Sequence, residues 1–314
     1  MNLAYQLYRF KYVYGKHLNL KVPVDVSLEL SSYCTNSCGY CYFADRKNLP
    51  FKMKFMDYNL AKKVIYEASQ LGVHSLKFNY RGEATMHPNF GAITSFAKDL
   101  AHGSTFIDRL TNSNFNFRFD REDIFQGLCN QTKVKVSFDS FQKEIFEEQR
   151  KGSNYERTLA NINKFYNYPG RNNVLVIQSV RTNLNKDEDL YGEIKRRWPN
   201  ALASVRDCVE GRVEKDLSDV VVKHRDESDR QSCIQAHVRL MVRSDGSVGA
   251  CCPDIGSRIT LGNAKDMHIS EIFNSQAAKE TRKMLKNKSA FKTDPCKGCS
   301  SFESYKGFKP SWNS

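Results

Sequence analysis

The chain has 314 residues, of which 40% are hydrophobic, and its 48 lysines and arginines against 35 aspartates and glutamates give a net charge of +13. Wholesale disorder is excluded, because this apolar content suffices for a substantial core. No apolar run approaches the length of a membrane span, and the N-terminus lacks the apolar stretch of a signal peptide, so we expect a cytoplasmic protein without a membrane partner. The basic excess favours an anionic partner, although basic residues scattered over the surface would give the same total.

An amphipathic helix is predicted within residues 1–22, because Leu3, Leu7, Phe10 and Tyr14 recur at helical spacing. A stripe of this kind serves packing more often than membrane binding. We therefore expect it to lie against the main domain.

The segment 23–208 alternates β-rich runs with helical or loop segments. This order predicts parallel strands with right-handed crossovers, which is an α/β fold forming a partial (β/α)6 TIM-like barrel. Chemistry in such barrels lies at the C-terminal ends of the strands. The β-rich runs are 23–30, 74–80, 105–113, 133–140, 172–180 and 201–208, and the helical segments are 56–72, 91–103, 119–129, 154–167 and 187–198.

Two further regions follow the predicted barrel. The highly charged residues 209–230 are interpreted as a linker, and residues 231–314 as a smaller domain that carries cysteines. Asp245 and Gly246 lie between two apolar runs, which predicts a β-hairpin with its turn at this dipeptide.

Three cysteines fall within eight residues directly after the first predicted strand. In "CTNSCGYCY", residues 34–42, Cys34, Cys38 and Cys41 have the spacing C-x3-C-x2-C. With no secretion signal, such cysteines indicate metal or redox chemistry rather than disulfides. Thiolates suit iron–sulfur clusters and zinc. Three thiolates leave one iron of a four-iron cube open to another ligand, whereas a structural zinc site usually needs four ligands.

The cysteine spacing, with the aromatic Tyr40 before the last cysteine, resembles the radical S-adenosylmethionine (radical SAM) superfamily. The resemblance implies a [4Fe–4S] cluster held by Cys34, Cys38 and Cys41. Its open iron would chelate S-adenosylmethionine, and an electron from the cluster would split that molecule into methionine and a 5′-deoxyadenosyl radical. Tyr40 would contact the adenine, or else pack in the core.

Two segments after the second and third predicted strands resemble motifs of this superfamily. "RGEATMHP" is similar to its G-G-E-P segment: Gly82 and Glu83 match, while Arg81 and Ala84 do not. The Glu83 carboxylate is expected to accept the methionine ammonium. "LTNSN" is similar to a T-N-G motif, and it implies that Asn112 lines the site or caps a helix.

Two later segments complete the implied cofactor site. "VSFDS" ends the fourth predicted strand, where Ser137 and Asp139 are candidates for the ribose or methionine end of S-adenosylmethionine; helix capping is the alternative for Asp139. Arg150 falls where related enzymes carry an arginine for the methionine carboxylate, and a surface salt bridge is its alternative.

The second set of cysteines has the pattern C-x12-G-x4-C…C-x2-C and resembles the SPASM domain or its shortened form, twitch. The resemblance implies a small α+β twitch/SPASM-like domain with one auxiliary [4Fe–4S] cluster, and it extends to the twitch domain of a radical dehydrogenase in aminoglycoside biosynthesis. Cys252 is the spare thiol, although it and its neighbour can exchange roles. A zinc knuckle is the alternative. The implied ligands are Cys233, Cys251, Cys296 and Cys299.

Three other side chains are weaker candidates. Cys129 and Cys208 are expected to be buried as small apolar groups. Cys208 ends the sixth predicted strand, where it would alternatively act as an acid or hydrogen donor towards the substrate. Asp254, near the auxiliary site, is a candidate base.

The function implied by the resemblance is oxidation of a small molecule or peptide, either a dehydrogenation or a crosslink. The auxiliary cluster would accept or relay an electron, and a reducing partner such as flavodoxin or ferredoxin would supply the first cluster. The net charge keeps modification of a nucleotide or nucleic acid as an alternative. A zinc-stabilised nucleic-acid-binding protein without catalysis is the alternative from a different class.

Overall fold

The structure is a computed structural model that describes residues 3–208, 232–297 and 299. The predicted linker and the last part of the predicted C-terminal domain fall largely outside these residues. Within the described residues, no helix is long and apolar enough to cross a membrane.

One mixed sheet of nine strands organises the described part of the chain. The strands are β1 (Asp25–Leu28), β2 (Ser75–Lys77), β3 (Asp108–Ser113), β4 (Lys133–Ser137), β5 (Val174–Arg181), β6 (Leu202–Asp207), β7 (Arg239–Val242), β8 (Ser247–Gly249) and β9 (Gly262–Asn263). Their spatial order is β6-β5-β4-β3-β2-β1-β7-β8-β9. Strands β1 to β6 are mutually parallel and follow the chain order, so the predicted open (β/α)6 barrel is confirmed.

Helices cover the outer face of the sheet. The α-helices of the described residues are α1 (Leu3–Tyr14), α2 (Tyr58–Gln70), α3 (Phe90–Asp99), α4 (Glu122–Cys129), α5 (Lys143–Gln149), α6 (Tyr155–Tyr166), α7 (Leu190–Arg197), α8 (Gln235–Val238), α9 (Ile269–Phe273) and α10 (Gln276–Lys286). In α2 the Asp57 side chain caps the helix by accepting from the Leu60 N–H. Its apolar stripe, which includes Val64 and Ile65, is fully buried against the sheet.

The strands show which face of the sheet points inwards. On β4 the buried Val134 and Val136 belong to the core shared with the helices. Lys133 and Lys135 alternate with them and therefore lie on the inner face, the concave side of the open barrel. The inner face of this strand is charged.

Helix α1 closes the N-terminal end of the barrel, but not with the expected stripe. Leu3 and Leu7 are 79% and 44% exposed. The buried residues are Tyr8 and Tyr12, and the Tyr8 hydroxyl donates to Asp108 Oδ2 over 3.1 Å. The helix is confirmed, whereas the predicted packing stripe is wrong, because the surface beneath α1 combines apolar side chains with a carboxylate, and tyrosine matches the first with its ring and the second with its hydroxyl.

The C-terminal strands extend the same sheet beyond β1. Strand β7 pairs with β1 in parallel, and β8 returns antiparallel to β7. The turn between them contains Gly246 at φ +92°, a conformation that favours glycine. The predicted hairpin is therefore confirmed, and it places residues near the auxiliary cysteines beside the first barrel strand. The division into separate domains stays a prediction.

Candidate metal and cofactor site

The three-cysteine loop begins just after β1, at the C-terminal edge of the parallel strands. Arg46 fixes its course, since one guanidinium nitrogen donates to the carbonyl oxygens of Cys34 (2.8 Å) and Asn36 (2.7 Å). The Asn36 side chain in turn donates to Ser153 Oγ over 2.6 Å. These contacts thus preorganise the backbone of the cysteine loop.

Burial raises the pKa of two thiols in this loop. It raises the pKa of Cys34 to about 12, and the nearby Glu83 carboxylate adds to the shift while the Asn36 N–H opposes it. Burial also raises the pKa of Cys38, against the effect of the Arg150 guanidinium. Metal ligation needs thiolates, so loading an iron cluster here displaces protons from these groups. The charges of Cys38 and Cys41 raise the pKa of Cys34 further.

Gly82 and Glu83 lie directly against the cysteine loop. Gly82 has φ +70°, and a Cβ atom at this position would overlap the carbonyl oxygen of Ser31. The Glu83 N–H donates to the Tyr33 carbonyl over 2.7 Å. This close approach requires a glycine, which gives a physical reason for the one glycine that remains of the G-G-E-P motif.

The Glu83 carboxylate is buried and already accepts several hydrogen bonds. One oxygen accepts from the Thr85 hydroxyl (2.8 Å) and the other from the Asn114 N–H (2.7 Å). Burial raises the pKa of Glu83, and these donors oppose the shift. The contacts fix the carboxylate at the end of β2, and its predicted contact with a ligand ammonium stays a prediction.

Asp139, Arg150 and Tyr40 form a buried cluster beside Cys38. The Tyr40 hydroxyl donates to Asp139 Oδ2 over 2.6 Å, and Arg150 Nε lies 2.7 Å from the same oxygen. Arg150 Nη1 is 3.9 Å from Cys38 Sγ. Burial opposes the charged guanidinium, but Asp139 outweighs it and raises the pKa of Arg150. The ion pair is internal, so a surface salt bridge and helix capping by Asp139 are both excluded for these side chains.

Asn112 and Ser137 lie on the inner face of neighbouring strands. Asn112 is within β3 rather than at a helix end, so it does not cap a helix. Its side-chain oxygen is buried and has no hydrogen-bond partner. Ser137 is the last residue of β4 and shares the inner face with Asp139 by strand alternation. A buried amide oxygen without a donor fits a group that awaits a ligand.

The sequence interpretation missed Asn114 and Asn116. The Asn114 side chain donates to Thr35 Oγ1 over 2.9 Å and lies 3.8 Å from Cys34 Sγ. Asn116 donates to the Asn36 side chain over 3.1 Å. Alternating asparagines in "TNSNFNF" were the available signal, because buried amides at strand ends need polar partners.

The second set of cysteines surrounds one cavity. Its lining comprises Cys233, Gln235, Cys251, Pro253, Phe291, Pro295, Cys296 and Cys299, which includes all four thiols expected to bind the auxiliary cluster. Burial raises the pKa of Cys251 well above its ordinary value, and the charges of Cys252, Cys233, Asp254 and Cys296 add to the shift. Cys252 does not line the cavity, and its Sγ lies 3.7 Å from Arg239 Nη1.

Asp254 and the remaining cysteines have other surroundings. The two Asp254 oxygens accept from the backbone N–H groups of Arg258 (2.9 Å) and Ile259 (2.8 Å), which shapes the loop after Cys252. Cys208 is buried, as predicted, whereas Cys129 is only half-buried and packs against the edge of the main core. The catalytic roles of Asp254 and Cys208 stay predictions.

The two cysteine regions are joined by hydrogen bonds. Arg81 forms a buried ion pair with Glu29 at 2.6 Å and donates to the Ile255 carbonyl over 3.1 Å. Tyr80 donates to the Asp254 carbonyl over 2.6 Å. The arginine that replaces a glycine of the motif therefore connects the loop after β2 to the loop after the hairpin.

Two family models match the chain. The model of the radical SAM superfamily matches residues 28–189, and that of the SPASM iron–sulfur cluster-binding domain matches residues 233–300. The first match spans more than half of the chain. No curated protein matches the sequence significantly.

Several solved structures share the fold. BtrN in complex with AdoMet and 2-DOIA is 18% identical with a TM-score of 0.58, over 90% of this chain and 94% of BtrN. Native anSMEcpe with bound AdoMet is 18% identical with a TM-score of 0.62, over 90% and 88% of the two chains. Streptococcus suis SuiB bound to precursor peptide SuiA is 14% identical with a TM-score of 0.59, over 88% and 70%.

These matches define the protein as an iron–sulfur enzyme with two cluster-binding regions. The chain belongs to the radical SAM superfamily and carries a SPASM cluster-binding domain, and it uses a [4Fe–4S] cluster, S-adenosylmethionine and auxiliary iron–sulfur ligation. The predicted family, fold class and cofactors are thereby confirmed. The non-catalytic zinc protein is excluded, whereas action on nucleic acid and the reducing partner stay predictions.

Proposed function

We propose that this radical SAM enzyme oxidatively modifies a small molecule or a peptide, by dehydrogenation or crosslinking. Cys34, Cys38 and Cys41 would hold the cluster that binds S-adenosylmethionine. The auxiliary [4Fe–4S] cluster would be held by Cys233, Cys251, Cys296 and Cys299 in a domain formed by residues 231–314, joined to the 23–208 barrel by the linker 209–230.

The observation that carries this proposal is the placement of the two cysteine sets. Four thiols line one cavity, while three others lie on the loop after β1. Strand β7, which leads into the hairpin before Cys251, is the direct neighbour of β1. A closed four-thiol centre next to an open three-thiol centre suits an enzyme that removes an electron after a hydrogen atom, because a fully ligated cluster transfers electrons without binding substrate.

The bound cofactors supply a carbon radical that takes a hydrogen atom from an unreactive C–H bond. The protein residues would orient and shield the reacting partners. Glu83 would accept the ammonium of S-adenosylmethionine, and the Arg150 guanidinium, held by Asp139, would face its carboxylate. Tyr40 would contact the adenine. Ser137 would contact the remaining polar groups of S-adenosylmethionine from the inner face of the sheet.

The substrate class is supported by the structural relatives rather than by a bound ligand. BtrN is named in complex with 2-DOIA, and SuiB with a precursor peptide. One relative is thus solved with a small molecule and the other with a peptide, although both share this fold. The fold alone therefore does not decide which class of substrate this protein uses.

An anaerobic assay tests the function. Protein reconstituted with iron and sulfide, then mixed with S-adenosylmethionine and dithionite, should release 5′-deoxyadenosine. The matched control is the variant C34A/C38A/C41A, which should release none and keep the auxiliary cluster. A reconstituted wild-type sample that releases no 5′-deoxyadenosine would contradict the proposal.

A further inference from the structure

The carboxylates deep in the barrel are matched by hydrogen-bond donors or cations. Asp25 is fully buried, forms an ion pair with Lys77 and lies 3.2 Å from Arg239 Nε. Asp108, on β3, accepts a hydrogen bond from the Tyr8 hydroxyl of α1 over 3.1 Å. Each carboxylate at this level therefore has partners, as buried charges require.

Lys135 lies on the inner face of β4, two residues beyond Lys133. It has no such partner. It is half-buried and forms neither an ion pair nor a hydrogen bond with any described residue. Burial lowers the pKa of Lys135 to about 8, and repulsion from Arg206, Lys133 and Lys77 adds to the shift, while only Asp108 opposes it. An ammonium in a positive, half-buried environment is costly unless an anion compensates it.

Two amide side chains, one on the neighbouring strand β3 and one after the next strand β2, are also unsatisfied. Asn112 on β3 is the register neighbour of Lys135 on β4. The side-chain oxygens of Asn112 and of Asn79, at the end of β2, are buried and have no hydrogen-bond partner. A buried acceptor without a donor costs free energy, so a ligand with hydroxyl, amine or amide N–H groups would satisfy both oxygens.

The position of Lys135 along β4 relates it to the metal site. Lys135 and Ser137 share the inner face of β4 by alternation, and Asp139, two residues after the strand ends, touches Arg150 next to Cys38. At about 3.3 Å per residue, Lys135 lies ~7 Å along β4 from Ser137. It therefore lies between the strand ends that α1 covers and the strand ends that lead to the cysteine loop.

We propose that Lys135 binds the anionic group of a small substrate, a carboxylate or a phosphate, whose hydrogen-bond donors reach Asn112 and Asn79. This inference rests on the proposed function and narrows its substrate class. The recognised chemistry is an acid or phosphate ester that also carries hydroxyl, amine or amide groups. The uncompensated cation supplies the attraction, and the two amides orient the molecule beneath the cofactor site.

Anion binding to the cluster-loaded protein tests this site. Isothermal titration calorimetry would use sulfate as a phosphate analogue and succinate as a carboxylate, both fully charged from pH 7 to 9. Saturating S-adenosylmethionine keeps the cofactor site filled. Lys135→Gln should weaken binding of the preferred anion by about 10- to 100-fold, the usual size of a charge-assisted contact. Lys143→Gln, the same change on the exposed face of α5, should leave binding unchanged.

The pH dependence separates binding from a structural role. Wild-type affinity should fall as the pH rises through about 8, because the protonated Lys135 attracts the anion. Lys135→Arg keeps the charge and does not titrate in this range, so this fall should largely disappear. The proposed site is wrong if wild type binds neither anion saturably. It is also wrong if Lys135→Gln binds the preferred anion as tightly as wild type, or if the affinity of Lys135→Arg falls with pH as that of wild type does. Loss of 5′-deoxyadenosine formation by wild type would instead overturn the proposed function and leave anion binding intact.

Discussion

The two cysteine sites differ most in what surrounds them. The loop after β1 is held by polar and charged groups, with Arg46 on its carbonyls and Arg150 next to Cys38. The second site is a cavity lined by Phe291 and Pro295 as well as by thiols. Donors and charges suit a centre that must also bind a charged ligand, whereas an apolar lining suits a centre that only carries electrons. The two sets of thiols therefore differ in their surroundings as well as in their number.

The largest expected effect comes from removing a thiol of the first site. Cys38→Ala should reduce formation of 5′-deoxyadenosine to background while iron of the auxiliary site remains, because only the first centre is expected to bind S-adenosylmethionine. Product chromatography and iron analysis measure the two outcomes. Cys129→Ala, which changes a half-buried cysteine away from both sites, serves as the control and should retain activity. Retained cleavage in Cys38→Ala would contradict the contrast between the sites.

The adjacent cysteines of the hairpin region give a sharper comparison. Cys251→Ala should lower the iron content from about eight to about four atoms per chain, the loss of one cube. Cys252→Ala should retain the full content, because Cys252 lies beside Arg239 rather than in the cavity. Iron and sulfide analysis of both variants decides the ligand. The reverse pattern would assign the auxiliary site to Cys252.

The polar shell of the first site also stabilises the apo-protein. Arg150→Gln leaves Asp139 buried without its guanidinium partner, and we expect the free energy of unfolding to fall by about 3–5 kcal/mol. Urea denaturation followed by circular dichroism measures the loss. Arg118→Gln breaks an exposed ion pair with Asp120 and should leave the midpoint unchanged. Equal midpoints for the two variants would show that the buried cluster does not stabilise the fold.

The smallest effect is expected from Arg46. Arg46→Ala removes its hydrogen bonds to the carbonyls of Cys34 and Asn36, so the first cluster should lose iron to a chelator about tenfold faster than in wild type. The auxiliary cluster should lose iron at the wild-type rate. The absorbance of the iron–chelator complex measures the rate of iron loss. Arg46→Ala is compared with wild type for both clusters together, and again in the Cys251→Ala background, where only the first cluster is expected to remain. Equal acceleration at both clusters would point to general destabilisation.

Much of the fold and of the first site was predictable from the sequence. Strand periodicity placed β1 to β6, and the loop that carries the three cysteines does follow β1 as predicted. Both signals are local: a buried strand or a chelating loop is recorded in consecutive residues. The hairpin turn at Gly246 was predictable for the same reason.

The remaining features depend on contacts between distant segments. The Asp139 partner Arg150 comes from a different element, and the choice between Cys251 and Cys252 depends on side-chain direction. The buried face of α1 was misjudged because the surface beneath it, partly apolar and partly polar, is assembled from other segments of the chain. Lys135 was overlooked although "KVKVS" alternates charged and apolar residues, because its significance depends on which face of β4 points inwards.

The pairing of β7 with β1 has a consequence for how the protein is made. Arg239 contacts Asp25 across 214 residues of sequence, so one edge of β1 stays open until the residues of β7 have been synthesised. During that interval the strand that leads to the cysteine loop is paired on one side only. Completion of the sheet next to these thiols is thus coupled to synthesis of β7, and the nascent polypeptide keeps an unpaired strand edge, open to mispairing, until β7 has emerged.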